Sequence, residues 1–505
     1  MKLIYSDENL VLGMRQFNMS AGIIETLRGG RLADLGLLSD EDIQHAEATI
    51  KKIINNDSDT VRLVFPDQHG IFRGKTFSVD QLVSVAANGV GFPSSLLLKD
   101  TSHRTVFPIW QKQEETPDYG LEGALDVIAC PDFRTCVDFN WASNSTMLIC
   151  DLYQRNGTKI NFSSRQILKN SITSLQASGY KALFGLEVEF QIFKIIDDAL
   201  KHDQSQMPPA AIKTENITQG WQYLTETKYG EVEEILEDLR QACETMNLGL
   251  ISMEIEMGPS QFEFTFGVDE ALAQADKFVL FRTMAKEICR KRQMHATFMA
   301  KPIMPNSAAN GWHIHQSIVD LNSSRNAFMP SNDLAKTSIA SNWIAGLLHC
   351  ARDCCLLTTP TVNGYKRYQP NQLAPTNVNW GYDNRGVMLR TLIFEGDPNC
   401  RVENRIAESA ANPYFAFSSQ IMSGLFGLEN NLVPQPATVN PYDLDATSLP
   451  RTLGEAISLF KGSATNRKFF GDDFVNYLTT IKKAEWDRYN LRVSQWEQDE
   501  YFNNF

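Results

Sequence analysis

The chain has 505 residues, 43% of them hydrophobic and 21% charged, and a formal net charge of −13 at pH 7. That length is enough for two or three domains with a large core, and the composition is ordinary for a soluble globular protein. The acidic balance argues against a nucleic-acid-binding protein, which usually carries a basic face. The nine cysteines include no CxxC pair, so we interpret them as reduced thiols of a cytoplasmic protein.

The N-terminal third predicts helices followed by a small β-rich region. Residues 20–54 have a helical pattern, with Asp40 as the predicted N-cap before EDIQHAEATIKKII. Residues 61–77 predict two strands joined by a turn at 67–70, and short strands and turns continue to about residue 150. No apolar run marks a signal peptide, and the most apolar later stretch, 341–357, is interrupted by two charges. We therefore expect a protein that does not cross a membrane.

From about residue 160 the pattern changes to long helices that alternate with strands. The stretch 162–180 predicts a helix that stops at Gly179. Apolar residues at helical spacing predict another helix over 269–294, which would be roughly 39 Å long at about 1.5 Å per residue.

One strand in this part carries two carboxylates within an otherwise apolar segment. In LFGLEVEFQIF, residues 183–193, Glu187 and Glu189 share a strand face because side chains alternate along a strand. Two like charges side by side on an apolar strand cost free energy unless something compensates them. A metal ion, a shared proton or solvent exposure would each compensate them.

Three further segments direct ionisable or polar side chains to one face. Any one of them is typical of a half-exposed sheet face, but four such segments favour a shared site over four coincidences. Five carboxylates with one imidazole suit Mg²⁺ or Mn²⁺ better than zinc, which favours cysteine and histidine. The side chains are Glu254, Glu256, Gln261, Glu263 and Thr265 in 252–266, His313, His315 and Ser317 in 310–317, and Arg401, Glu403 and Arg405 in 401–408.

The last third of the chain supplies cations that would pair with phosphate groups. Guanidinium groups bind carboxylate or phosphate through two parallel hydrogen bonds. Carboxylates for metal ions together with arginines for phosphate favour a metal–nucleotide site. It is not a P-loop, because GIFRGKT at 70–76 is one residue too short, and there is no GxGxxG motif. The arginines are Arg367, Arg385, Arg390, Arg401 and Arg405.

In this order, the segments resemble the glutamine synthetase family. The resemblance runs from about residue 60 to the C-terminus and rests on the blocks GLEVEF, GPSQFEF, HATFMAKP, GWHIHQS, NGYKR, DNRGVMLR, RVENR and AANPY. It implies an α+β protein with an N-terminal helical extension over 1–55, a small β-grasp-like domain over 56–152 and a large catalytic domain over 153–505. The catalytic domain is expected to contain a curved antiparallel sheet and helices.

The resemblance also implies a role for each matched residue, with two or more Mg²⁺ or Mn²⁺ ions in each active site. The positions matched to metal ligands are Glu189, Glu256 and Glu263 for one ion and Glu187, His313 and Glu403 for another. Those matched to nucleotide binding are His315, Ser317 and Arg401, and those matched to substrate binding are Arg367, Arg405, His313 and Leu373. The implied catalytic residues are Arg367 and, at the transferred phosphate, Arg385 and Arg390.

The implied reaction is an ATP-dependent ligation of an amine to glutamate. The γ-carboxylate of L-glutamate attacks the γ-phosphate of ATP, and a nitrogen nucleophile then displaces phosphate from the acyl phosphate to form an amide. The family also implies a homo-oligomer, a dodecamer of two hexameric rings, which takes L-glutamate, ATP and a small amine.

Departures from the family pattern favour its branch of γ-glutamyl–amine ligases, which act in amine catabolism. Leu373 occupies the position of a glutamate that helps bind ammonium, and the family's Asp-Gly-Ser-Ser segment is replaced near 89–98. Ala308 and Ala309 replace an Asn-Gly pair that contacts glutamate. A hydrophobic amine is therefore predicted, an arylamine such as aniline or else an alkylamine. The alternatives are ammonia, a polyamine, and a non-catalytic regulator that kept the fold.

Overall fold

The computed structural model describes residues 19–56, 58–110, 122–139, 141–142, 144–330, 338–443 and 445–505. The chain divides into two compact units. The first comprises Met1–Pro66, Phe72–Leu96 and Ile109–Ile160, and the second comprises Asp67–Ile71, Leu97–Pro108 and Asn161–Phe505. The three predicted domain ranges stay predictions.

The first unit contains helices and a five-stranded sheet. Its helices are α1 (Met19–Arg28), α2 (Arg31–Asp34), α3 (Asp40–Asn55) and α4 (Leu82–Asn88). Its strands are β1 (Thr60–Pro66), β2 (Phe72–Ser78), β3 (Val90–Pro93), β4 (Asp126–Asp138) and β5 (Ser145–Tyr153). The strand order is β2-β1-β5-β4-β3, and every neighbouring pair is antiparallel except β1 with β5. The two strands predicted over 61–77 are confirmed.

The helical region before this sheet differs from the prediction. The helical pattern predicted over 20–54 forms three helices, and the predicted N-cap Asp40 is the first residue of α3. Ser39 is the N-cap: its backbone is extended, and its hydroxyl accepts a hydrogen bond from the Asp42 backbone N–H at 3.1 Å. The Asp42 carboxylate accepts from the Ser39 backbone N–H at 2.9 Å, which completes a capping box. The Asp40 prediction is wrong because acidic residues in the first turn also suit the helix dipole, so they resemble caps in sequence.

The second unit contains a nine-stranded sheet. Its strands are β6 (Tyr180–Asp197), β7 (Lys213–Asn216), β8 (Leu250–Ile255), β9 (Gln261–Glu270), β10 (Met294–Thr297), β11 (Gly311–Asp320), β12 (Trp380–Tyr382), β13 (Leu389–Leu392) and β14 (Arg401–Glu408). The order is β12-β13-β14-β11-β6-β9-β8, and β7 and β10 also pair with β6. Only β12 and β13 pair in parallel, so the predicted α+β class with a mainly antiparallel sheet is confirmed.

Helices of the second unit cover the apolar side of this sheet. Phe190 on β6 packs edge-on against Phe281 on α8, with ring centroids 5.5 Å apart, and neither residue is exposed. The helix predicted over 269–294 is confirmed as α8, and the helix predicted over 162–180 is α5, followed by Gly179 at φ +87°. The helices are α5 (Ser164–Ala177), α6 (Glu226–Gly230), α7 (Glu233–Thr245), α8 (Ala271–Lys291), α9 (Ser338–Thr358), α10 (Pro413–Glu429), α11 (Leu453–Gly462), α12 (Ala464–Asn490) and α13 (Gln495–Tyr501).

Two properties of the whole chain bear on its chemistry. Within the described ranges, no helix has both the length and the apolar character needed to span a membrane. No disulfide links the nine cysteines, all of which lie among the described residues. Eight of these thiols are buried, so they contribute to packing as small apolar groups.

Candidate active site

Strand pairing gathers the predicted site residues on one face of the sheet in the second unit. β6 lies between β9 and β11, with Glu189 opposite Glu263 and Glu187 opposite His313. β14 pairs with β11 on its other side and adds Glu403. Because opposite side chains of antiparallel neighbours have Cβ atoms about 4.5–5.5 Å apart, four strands bring these groups into one cluster.

Glu187 lies at the centre of the cluster and binds two imidazoles. Its Oε2 is 2.8 Å from His313 Nδ1, and its Oε1 is 2.8 Å from His315 Nε2. Arg401 Nε donates to His315 Nδ1 at 3.2 Å, so the His315 proton lies on Nε2 and is donated to Glu187. Burial opposes ionisation of Glu187, but the hydrogen bonds from the two histidines outweigh it and hold its pKa far below the usual range.

The remaining carboxylates of the cluster are crowded against one another. Burial and the neighbouring Glu189 raise the pKa of Glu256 to about 8 and the pKa of Glu263 to about 10. Ionised carboxylates this close repel each other unless a cation lies between them. The donors are hard carboxylate oxygens with imidazole nitrogen, which is the set that Mg²⁺ and Mn²⁺ accept. The residues therefore fit a divalent-ion site.

Within the part of the chain that the structure describes, two groups of three donors are close enough to hold an ion, with ligand atoms within 4.8 Å of one another. Neither group equals one of the two predicted ligand sets. The group that includes Glu403 contains His315, which the resemblance matched to the nucleotide and not to a metal ion. Glu189 Oε1 lies 3.8 Å from His313 Nε2, beside the first group. The assignment of ligands to individual ions stays a prediction. The groups are Glu187, Glu263 and His313, and Glu187, His315 and Glu403.

Two residues that sequence reasoning left without a role hold Glu189 in place. The Glu189 Oε2 atom accepts from the Gly311 backbone N–H at 2.9 Å and from Gln261 Nε2 at 3.1 Å. A Cβ at Gly311 would lie 3.0 Å from Glu189 Oε1 and 3.1 Å from His313 Nε2, so a side chain there would crowd both groups. The signal in the sequence was a glycine at the start of a strand that carries two histidines.

Two of the arginines that were predicted to bind phosphate or substrate instead contact a carboxylate of the same cluster in this structure. Glu403 is completely buried and accepts from Arg390 at 3.0 Å and from Arg405 through a short hydrogen bond. Arg390 also donates to Asp383 at 2.6 Å. Burial opposes ionisation of Glu403, but Arg405 together with His313 and His315 outweighs it and lowers the pKa of Glu403. The arginine and carboxylate groups therefore form one connected network.

Arg367 and Arg405 combine deep burial with unsatisfied donors. They are only 3% and 5% exposed, and the Nε atom of each has no hydrogen-bond partner among the described residues. Arg367 donates from NH1 to the carbonyl of Ile406 at 3.0 Å, and its NH2 lies beside Gly311 at the edge of the acidic cluster. Buried guanidinium groups with unused donors favour an anionic ligand.

Leu373 and Arg385 lie on exposed loops rather than in the buried cluster. Leu373 is 52% exposed and has a left-handed backbone with φ +57°. Arg385 acts electrostatically on Asp383 and Tyr223. Burial and then Glu256 raise the pKa of Tyr223, so this tyrosine lies at the edge of the cluster. The sequence analysis gave Tyr223 no role. Its one visible feature in the sequence was that it is an aromatic residue in a polar loop.

A cavity of about 970 Å³ opens beside the cluster. Its wall combines apolar residues such as Phe266 and Met329 with the polar residues that were matched to the nucleotide. The structure thus places the predicted nucleotide residues in one cavity next to the central carboxylate. The nucleotide residues that line it are His315, Ser317 and Arg401, and the central carboxylate Glu187 lines it too.

The chain is similar to known proteins over most of its length. A model of the glutamine synthetase catalytic domain matches residues 161–501. The chain is 35% identical over 491 residues to a γ-glutamylanilide synthase of Acinetobacter, covering 92% of this chain and 97% of that one. It is 32% identical to a γ-glutamylethanolamide synthetase of Streptomyces coelicolor, covering 87% and 92%. It is 30% identical to a glutamate–isopropylamine ligase of Pseudomonas, covering 88% and 95%.

A solved structure supports the same fold. The complex of GmaS with ADP matches with a TM-score of 0.75 and 22% identity, covering 90% of this chain and 99% of that one. At this identity the likeness concerns the fold alone. The predicted mixed architecture, with its antiparallel sheet and helices, is therefore confirmed by a solved structure as well.

Proposed function

Because the chain belongs to the glutamine synthetase family, we propose that it joins the γ-carboxylate of L-glutamate to a small organic amine. The protein is an ATP-dependent ligase, which rules out the non-catalytic regulator. One observation carries the proposal most directly: buried arginines with unused donors lie beside a crowded carboxylate–histidine cluster. Such a site suits an anionic substrate next to a metal-bound nucleotide.

The residues divide the reaction between them according to their charges. Arg367 and Arg405 hold the carboxylates of glutamate, and Arg390 with Arg385 faces the transferred phosphate. Divalent ions bound by the carboxylate–histidine cluster would neutralise negative charge on the phosphates. His315, Ser317 and Arg401 line the cavity proposed for the nucleotide.

The chemistry proceeds in two displacements. An oxygen of the glutamate γ-carboxylate attacks the γ-phosphorus of ATP, the bond to the bridging oxygen breaks, and ADP leaves. The amine nitrogen then attacks the acyl carbon, and the carbon–oxygen bond to phosphate breaks. The nitrogen loses a proton, and the products are the γ-glutamylamide and phosphate. The arginines stabilise the charge that develops on phosphate in both steps.

We expect the amine to be hydrophobic, with an arylamine such as aniline preferred. Leu373 offers an exposed apolar side chain where the family pattern has a carboxylate. A protonated amine would lose its hydration against such a wall, whereas an apolar amine gains about 25 cal/mol for each Å² that it buries. Aniline is neutral at pH 7 and arrives ready to attack. The names of three relatives specify an anilide, an ethanolamide and isopropylamine as product or substrate. These names support the proposal that this protein also takes a small organic amine.

A competition among amines tests this expectation. ADP release should depend on glutamate, and at pH 7.5 aniline should exceed ammonium and putrescine in kcat/KM by about tenfold or more, with isopropylamine and ethylamine between them. Formation of the amide should be followed by mass spectrometry in the same samples. A clear advantage of ammonium would support an ammonia-using glutamine synthetase, and an advantage of putrescine would support a γ-glutamylpolyamine synthetase. Either result would contradict the proposal that the Leu373 side chain favours an apolar amine.

We further propose a cytoplasmic homo-oligomer, a dodecamer of two hexameric rings. The C-terminal part of the chain leaves several aromatic side chains exposed, and large exposed apolar groups favour contact with another protein surface. Light scattering after size-exclusion chromatography should give the mass of twelve chains. The double substitution W496S/F502S should shift the mass downward, while a wild-type protein that runs as a monomer would contradict the proposal. The exposed residues are Trp496, Phe502 and Phe505, at 62%, 73% and 102%.

A further inference from the structure

Glu408 is a completely buried carboxylate to which the proposed reaction gives no role. It is the last residue of β14 and has no exposed surface. Burial raises the pKa of Glu408 to about 7, although hydrogen bonds from Thr361 act in the opposite direction. Removing a carboxylate from water costs free energy unless its oxygens gain hydrogen bonds in return. The groups that bind Glu408 therefore indicate what it does.

Both oxygens of Glu408 bind Thr361, on the segment that follows α9. Oε1 accepts from the Thr361 backbone N–H at 2.8 Å, and Oε2 accepts from the Thr361 hydroxyl at 2.7 Å. The oxygen of the same hydroxyl accepts from the Gly364 backbone N–H at 3.0 Å. Glu408 is thus connected, through one side chain, to the first residue of the 3-10 turn Gly364–Arg367.

The turn also lies directly against the Glu408 carboxylate. A Cβ at Gly364 would be 2.7 Å from both Cδ and Oε2 of Glu408, so a side chain has no room there. At the other end of the turn is Arg367. Glu408 pairs with Gly311 on β11, and a Cβ at Gly311 would be 3.3 Å from Arg367 NH2. Both ends of the turn therefore contact the β14–β11 pair, Gly364 at Glu408 and Arg367 at Gly311.

The same strand also holds the end of the turn. The Ile406 carbonyl on β14 accepts from Arg367 NH1 at 3.0 Å and from the Tyr368 hydroxyl at 3.0 Å. β14 thus holds the turn at two points, at its start through Glu408 and at its end through Ile406. Because the turn is only four residues long, a shift of its start changes the direction in which the Arg367 guanidinium points.

We propose that Glu408 is a positioning residue that directs the Arg367 guanidinium towards the carboxylate of the acid substrate. The inference rests on the proposed function, in which Arg367 binds L-glutamate. Glu408 itself does not touch the substrate, and it acts through Thr361 and the turn. Without this contact the start of the turn is free to move, and more conformational freedom is lost when the guanidinium forms its two parallel hydrogen bonds. Glutamate then binds less tightly.

The substitution Thr361→Val tests this contact because it removes the hydroxyl and keeps the branched shape of the side chain. Titration calorimetry with L-glutamate, in the presence of Mg²⁺ and a non-hydrolysable ATP analogue, should give a Kd about tenfold higher than in the wild type. The glutamate KM should rise similarly, while kcat and the ATP KM change by less than about twofold. Thr361→Ser keeps the hydroxyl and should bind glutamate as the wild type does.

Three further variants separate positioning from a general loss of structure. Thr479→Val is the matched control, since Thr479 is 4% exposed and its hydroxyl has no hydrogen-bond partner within the described ranges. It should leave every constant unchanged. Glu408→Leu removes both acceptors and should weaken glutamate binding at least as much as Thr361→Val does. In the Arg367→Lys background, Thr361→Val should raise the glutamate Kd by less than about twofold more, because the contact acts through the guanidinium.

An unchanged glutamate Kd in Thr361→Val, equal weakening of glutamate and ATP, or an effect that adds in full to that of Arg367→Lys would overturn the inference. The titration requires no turnover, so it separates the two levels of the proposal. If the wild type binds glutamate but forms no amide, the proposed function fails, and the Thr361 variants still decide the role of Glu408. If the wild type forms the amide and Thr361→Val binds glutamate normally, only the inference fails. If the wild type does not bind glutamate at all, both are wrong.

Discussion

Replacing Glu187 with glutamine should lower kcat by about a thousandfold or more while the protein stays folded. Glu187 belongs to both groups of candidate ion ligands among the described residues, so one substitution weakens both. Glutamine keeps the size of the side chain but removes the charge. Its amide accepts at one oxygen only, so one of the hydrogen bonds from His313 and His315 is lost. Relief of the repulsion on Glu256 and Glu263 offsets that loss.

Thermal unfolding gives a second measurement that does not depend on turnover. Added Mg²⁺ should raise the Tm of the wild type in a concentration-dependent manner, and Glu187→Gln should abolish this shift. Glu270→Gln is the matched control, because Glu270 is also on the sheet but 64% exposed and paired with Lys181 at 2.9 Å. It should retain both turnover and the Mg²⁺ effect. Near-wild-type turnover of Glu187→Gln at saturating Mg²⁺ would exclude Glu187 as a metal ligand.

The alternation of side chains along each strand could be predicted because it is a local property. On β6, Leu186 and Val188 are buried in the core, while Glu187 and Glu189 face the other side, as the sequence indicated. The order of the strands is not local: β6 pairs with β9 and β11, which lie far along the chain and are separated by a long helix. Alternation therefore predicted which side chains share a face, but not which donors stand opposite each other.

The supporting residues of the site were the hardest to predict. Gly311 and Gln261 carry no charge, and the strand pattern that includes Gln261 gave it no individual role, because the importance of both comes from the close approach of Glu189. The partners of Arg390 and Arg405 were also missed, since both bind Glu403, which the resemblance matched to a metal. The contacts of Arg390 with Glu403 and of Glu189 with Gly311 and Gln261 depend on how separate segments align, and a single sequence does not specify that register. Arg405 and Glu403 lie two residues apart on β14, so the sequence placed them on one face without showing that they pair.

Replacing Arg367 with lysine should raise the glutamate KM by about 10- to 100-fold with a much smaller effect on the ATP KM. The guanidinium is 3% exposed and uses NH1 for the carbonyl of Ile406, and its Nε has no hydrogen-bond partner among the residues that the structure describes. Lysine keeps the positive charge but has a single nitrogen, so it cannot bind the Ile406 carbonyl and present a fork to a carboxylate at the same time.

The variant should still fold, and this makes the kinetic comparison interpretable. The Ile406 carbonyl also accepts from the Tyr368 hydroxyl at 3.0 Å and from the Thr359 hydroxyl at 3.1 Å, so it remains satisfied without the guanidinium. Lys366→Arg, the reverse exchange at the exposed neighbouring position, is the matched control and should leave both KM values unchanged. Equal increases in the glutamate and ATP KM values for Arg367→Lys would instead indicate a general loss of site geometry. An unchanged glutamate KM would show that Arg367 does not bind the substrate carboxylate, because the substitution keeps the charge and removes only the forked guanidinium.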